Sequence, residues 1–144
     1  MATFYTNQAL GRGPMHSVGG GSQRVVAYAE YSLTAALALN DVINMMWLPS
    51  GAIVTRVDIG GDDLDSGGSP TITLDVGDAT TANRFVSADA SAKTGVSSST
   101  AVNFYQYTAD TRIQVKCSAA PATGATSGKI KLAVEYLLDP SFAA

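Results

Sequence analysis

Charge, histidine and cysteine are scarce in this 144-residue chain. Charged side chains make up 15% of it, against about a quarter in an ordinary globular domain. The 9 Lys plus Arg are outnumbered by 12 Asp plus Glu, for a formal charge of −3. Phosphate affinity comes from clustered cations, so this balance argues against a nucleic-acid partner. A single Cys excludes an internal disulfide framework, and a single His excludes a multi-histidine metal site. Long apolar runs are missing too. The longest span residues 35–39 and 45–48, whereas a membrane helix needs about 20 residues. No membrane partner is expected. Residues 1–13 have neither a basic start nor an apolar stretch, so no signal peptide is expected there. The chain is therefore expected to be made and kept in a cytoplasm, or to leave by lysis or inside a particle.

What is present is Ala, Ser, Thr and Gly in quantity, with 46% apolar residues overall. Small side chains lose little entropy when a surface packs flat against another protein. Length and composition together predict one domain built for assembly rather than catalysis.

Residues 1–23 read as an arm. Gly11, Gly13, Pro14 and the run Gly19-Gly20-Gly21 break any regular element. The simpler reading is a poorly ordered end; the alternative is an arm ordering on a neighbouring subunit, anchored through Phe4, Tyr5, Leu10 and Met15. Residues 24–144 form the expected body. Ile72, Leu74 and Val76 alternate with polar neighbours, as do Ile113, Val115 and Cys117. The longest stripe is Ile130, Leu132, Val134, Tyr136 and Leu138, with Lys129, Lys131 and Glu135 between them. A period of two places one face on a core and the other toward solvent. Further strands are predicted over 24–33, 42–48, 52–59, 84–88 and 102–107. Turn residues separate them at 40–41, 49–51, 60–70, 77–78, 109–110 and 121–128. About eight short strands without helical periodicity predict an antiparallel β-sandwich.

Two segments carry competing signals. Residues 35–39 are good helix material, but Asn40-Asp41 interrupts them and Val42-Ile43 favours a strand. Two strands joined at Asn40-Asp41 are expected, with a short helix as the alternative. Residues 42–48 are apolar on both faces: Ile43, Met45 and Trp47 on one, Val42, Met46 and Leu48 on the other. Either the fold covers both sides or one side meets a partner. Trp and Met favour the partner, which makes Val42, Met46 and Leu48 interface candidates. Residues 87–101 are polar and low in complexity and read as a flexible loop.

The catalytic patterns fail. Gly124 to Ile130 approaches a phosphate-binding loop, but it has three residues between the glycines and Ile after the Lys. Asp62, Asp63 and Asp65 invite calcium, yet an EF-hand would need an acid or Asn at Gly67 and a Glu at Leu74. Asp residues turned onto their own backbone are the simpler reading. His16 lies in the Gly-rich arm, a poor place to hold a triad. Cys117 sits on an inward stripe. No enzyme, cofactor or metal is expected.

Residues 47–85 carry a resemblance. They run Leu48-Pro49-Ser50-Gly51-Ala52, then Asp63-Leu64-Asp65-Ser66-Gly67-Gly68, then Pro70-Thr71-Ile72-Thr73-Leu74-Asp75-Val76-Gly77-Asp78-Ala79, ending Ala82-Asn83-Arg84-Phe85. With Gly128-Lys129-Ile130-Lys131-Leu132-Ala133-Val134-Glu135-Tyr136, this resembles the head decoration or cement proteins of tailed bacteriophages, over roughly two-thirds of the chain. The resemblance implies a jelly roll and a structural virion protein on the capsid exterior. Its partners would be the major capsid protein and itself, as a homodimer or homotrimer. A glycan- or receptor-binding virion module, using loops 62–69 or 87–100, is the alternative.

Overall fold

The structure is a computed structural model that describes residues 23–138. Phe4, Tyr5, Leu10 and Met15 lie outside the described residues, and with them nearly all of the expected arm. Eight strands follow in order: β1 Gln23–Ser32, β2 Val42–Leu48, β3 Ala52–Gly61, β4 Thr73–Gly77, β5 Val86–Asp89, β6 Ser98–Gln106, β7 Thr111–Ala119 and β8 Lys129–Leu138. They form two four-stranded sheets, ordered β1-β8-β3-β6 and β2-β7-β4-β5, with every pairing antiparallel. This interleaved order is that of a jelly roll.

Alternation explains the layers. On β8, Ile130, Leu132, Val134 and Tyr136 are buried while Lys129 and Lys131 are exposed. Val54, Val57 and Ile59 of β3, Leu74 and Val76 of β4, and Ile113, Val115 and Cys117 of β7 complete the core. Each buried Val, Leu or Ile contributes roughly 1.5–3 kcal/mol of transfer free energy.

Three expectations need correction. Residues 33–41 form neither a second strand nor a helix; they are an irregular passage between the sheets. Backbone bonds hold it, from Leu33 to the Gly128 carbonyl and between Asn40, Asp41 and Cys117. Residues 87–101 are a built corner rather than a free loop. Ser91 and Ala92 are buried in a short 3-10 turn, and the Ser91 carbonyl accepts bonds from Gly95 and Val96. β4 starts two residues later than the alternation suggests, because Thr71 and Ile72 donate their N–H groups to the Asp65 carboxylate instead of a strand.

Asp65 is a keystone. It is almost fully buried and also accepts the N–H groups of Ala122 and Thr123. One carboxylate thereby ties the 62–72 loop to the β7–β8 connection. Burial alone would raise its pKa. The four N–H donors together outweigh that and hold it well below the usual carboxylate range.

The turn after β4 depends on a glycine. A Cβ at Gly77 would collide with the Thr81 carbonyl oxygen and the Ala82 carbonyl. That approach lets the Asp78 N–H reach Thr81 O at 3.0 Å. Gly77→Ala is expected to destabilise the fold by about 2 kcal/mol, read as a lower urea midpoint with an unchanged m-value.

Candidate functional site

β2 sits at an edge of its sheet and pairs only with β7. Its register to β7 shifts between Asn44 and Met46, so Met45 is an inserted residue. The bulge resets the two-residue alternation. Ile43 faces the core opposite Val115, and after the bulge Met46 and Leu48 do so as well. Leu48 is 0% exposed, and Met46 is half-buried against the core. The interface expected from Val42, Met46 and Leu48 is therefore divided: Val42 stays outside, while Leu48 has no surface left to offer. The sandwich itself uses most of the second apolar face.

The residue released by the bulge is Trp47. It is 60% exposed and stands opposite Arg112. The Arg112 guanidinium carbon lies 4.6 Å from the indole ring centroid. Asn44 and Gln114, also partners in the register, share a side-chain bond of 2.8 Å. The outer surface of β2 and β7 thus carries an aromatic–arginine pair beside an amide pair. Interface centres are enriched in Trp and Arg.

Beside this pair lies an open depression of about 540 Å³, lined in part by Trp47, Arg84, Tyr105, Tyr107 and Arg112. Its floor is rigid. Asp78 is buried and accepts Arg84 Nε at 2.5 Å, the Tyr107 hydroxyl at 2.8 Å, and the N–H groups of Thr80 and Thr81 at 2.9 Å. Burial would raise the Asp78 pKa, but the Arg84 guanidinium and the other donors turn it downward. Burial, reinforced by the bond to Asp78, pushes the Tyr107 phenol strongly up. Arg84 also stacks over Tyr105 at 4.1 Å, and Phe85, Tyr105 and Tyr107 pack edge to face. At the rim, Asp110 accepts the Ser50 N–H at 2.8 Å and joins the β2–β3 turn to the β6–β7 turn.

The polar groups lining this surface are engaged with one another. Asp78 is neutralised and saturated with donors, and Tyr107 stays protonated. Among the described residues no three His, Cys, Asp or Glu side chains converge on a metal position. Burial raises the Cys117 thiol pKa, away from reactivity. The acidic loop spends its carboxylates on backbone N–H groups, partly its own and partly those of β8 and the β7–β8 connection. Asp62 accepts the Lys129 N–H, Asp63 accepts that of Asp65, and Asp65 is enclosed. Lys129, at the end of the glycine-flanked segment, pairs with Glu30 at 2.8 Å.

Sequence reasoning missed the exposure of Trp47 and Phe104. Trp47 was hidden by the bulge, because alternation placed it with Ile43. Phe104, 69% exposed on the edge strand β6, has φ +51°. Residues 102–104 bulge out opposite Thr55, between the pairs Ala101–Arg56 and Tyr105–Val54. No local residue pattern announces that insertion.

No protein-family model matches the chain, and comparison with curated proteins gives no match. Solved structures do match. A chain in the capsid asymmetric unit of cyanophage Pam1 is 34% identical, with 96% of this chain and 99% of that chain covered at a TM-score of 0.79. A chain in the capsid of Ralstonia phage GP4 is 30% identical, with 81% and 84% covered and a TM-score of 0.74. A chain in an acid-stable capsid of Helicobacter pylori bacteriophage KHP30 is 25% identical, with 81% and 93% covered and a TM-score of 0.56.

Proposed function

This chain belongs to the same family as the cyanophage Pam1 capsid chain, and on that basis we propose that it cements phage heads by binding their outer surface and bridging neighbouring major capsid subunits. It is a structural protein of the virion. The observation that carries the proposal is the match to a capsid component along nearly the whole of both chains. The surface chemistry supports it. The Trp47–Arg112 pair supplies a preorganised contact centre on a stiff sandwich, next to a depression with saturated polar groups. Val42 extends that face, and the arm anchors Phe4, Tyr5, Leu10 and Met15 would widen the contact on a neighbouring subunit.

The mechanism is mass action. A protein that binds the assembled shell and not its dissociated subunits stabilises the shell in proportion to occupancy. Many identical weak contacts, each linked to the next through bridged subunits, give a large collective effect. Self-association as a homodimer or homotrimer would strengthen that linkage. The protein is made in the host cytoplasm and joins the head there. To test this, purified protein is added to expanded heads that lack it. Saturable co-sedimentation and a rise in head melting temperature are expected; absence of either contradicts the proposal.

A further inference from the structure

The two outer faces of the sandwich treat their cations differently. On the β1-β8-β3-β6 face, Arg24 pairs with Glu135 at 2.8 Å, Arg56 with Asp58 at 2.9 Å and Lys129 with Glu30 at 2.8 Å. On the β2-β7-β4-β5 face, the outward row of β7 is Arg112, Gln114 and Lys116, alternating with buried Ile113, Val115 and Cys117. Among the described residues, neither Arg112 nor Lys116 has a carboxylate within ion-pair distance. The other described arginines, Arg24, Arg56 and Arg84, all have one.

Carboxylates are at hand but are spent elsewhere. Asp75 stands across from Lys116 in the β4–β7 register, yet its Oδ1 accepts the Ala88 N–H at 2.7 Å. Asp110 lines the same depression as Arg112, and its Oδ1 accepts the Ser50 N–H at 2.8 Å. Asp78 is taken by Arg84. The chain as a whole is acidic, with a formal charge of −3, so a shortage of acids does not explain the two unpaired cations. Arg112 is also held ready, over the Trp47 ring. A guanidinium so placed keeps N–H donors at its edge, where one carboxylate can accept two of them. Lys116 follows four residues along an extended strand, about 14 Å away.

We propose that this face receives a carboxylate-bearing segment of the major capsid subunit, with Asp or Glu side chains on Arg112 and Lys116 and their apolar stems against Trp47. The inference rests on the cement role proposed above and names the chemistry of its partner. Charge complementarity supports this occupant. Covering Trp47 with a partner desolvates Arg112 beside it, and a buried cation without an anion is costly. A backbone carbonyl would accept a hydrogen bond but leave the charge uncompensated. A carboxylate does both.

Charge reversal tests it. Arg112→Glu with Lys116→Glu is expected to weaken binding to heads at least about a hundredfold at low ionic strength, and added salt should weaken wild-type binding. Arg112→Lys keeps the charge but loses the fork, and an intermediate loss is expected. Lys131→Glu, on the opposite face, should change affinity less than about twofold. Intact heads whose carboxylates have been converted to amides should no longer bind the wild type. Wild-type binding that survives amidation, or a double reversal no weaker than Lys131→Glu, overturns the proposal.

A second readout needs no heads. Trp47 is the only Trp in the chain, so its fluorescence reports this face alone. A Trp-free, Glu-rich peptide at millimolar concentration should shift the emission saturably, and the double reversal should abolish the shift. No shift with the peptide overturns the proposal, as does a shift produced only by an acidic polysaccharide such as alginate. A wild type that responds to the peptide but binds no heads refutes the cement role alone. One that binds heads yet ignores both charge reversal and the peptide refutes the carboxylate contact alone.

Discussion

The Trp47→Ala protein is expected to fold with a nearly unchanged melting temperature and to bind assembled heads roughly thirtyfold more weakly. The two halves of that result have separate causes. Trp47 is mostly exposed, so its truncation opens no cavity in the sandwich. The intramolecular loss is confined to stacking with Arg112, about 0.5–1 kcal/mol at an exposed site. Against a partner the same ring would be desolvated. Central Trp contacts of that kind cost about 2 kcal/mol or more when truncated. Arg112→Ala should weaken binding in the same direction, because the guanidinium holds the indole in place before contact. Val42→Ala is the milder comparison, as Val42 lies at the margin of the same face. Equilibrium binding to isolated heads, paired with thermal denaturation of the free protein, separates the two effects.

Asp65→Ala is expected to have the largest effect on the fold itself. Its carboxylate accepts N–H groups from two loops distant in sequence, at 71–72 and 122–123. Truncation strands four donors at a site almost closed to water, and each unmade buried bond is costly. A fall in melting temperature on the order of 10 °C at pH 7 is expected. Asp65→Asn should rescue little, because its amide N–H₂ would face donors rather than acceptors. The pH dependence carries the sign of a depressed carboxylate. Its folded pKa lies below the unfolded value of about 3.9, so its contribution is fully present above that pH. The contribution fades as pH falls toward the folded pKa. The wild type and Asp65→Ala should therefore differ most near neutrality, and their denaturation midpoints should converge in strong acid. A constant gap from pH 7 to pH 2 would refute the keystone role.

How far these features were legible depended on where alternation survives. β8 is legible to the residue because nothing is inserted in β8 itself: its register to β1 is unbroken and the shift in its register to β3 falls at Thr55 of β3, so inside and outside stay distinct over Ile130, Leu132, Val134 and Tyr136. β2 was located correctly, but its faces were misassigned. One inserted residue between Asn44 and Met46 moves Leu48 into the core and Trp47 out of it. A bulge is a tertiary event that leaves the hydrophobic pattern of its own strand looking merely two-sided. Asp65 was legible as a turn-forming aspartate but not as a keystone, because two of its donors come from residues 122–123. Residues 87–101 looked featureless since their order rests on backbone bonds around Ser91 and on contacts that small side chains permit. The depression had no local signature either. Asp78 and Arg84 pair within the β4–β5 turn, but they meet Tyr105 and Tyr107 of the other sheet only after the sheets are stacked.

Imaging heads saturated with this protein tests the central claim most directly. The account predicts added density on the outer shell, spanning neighbouring capsid subunits, with the Trp47–Arg112 face of each sandwich turned toward the shell. Density on the inner surface, or sandwiches whose Trp47 points into solvent away from every neighbour, would contradict it.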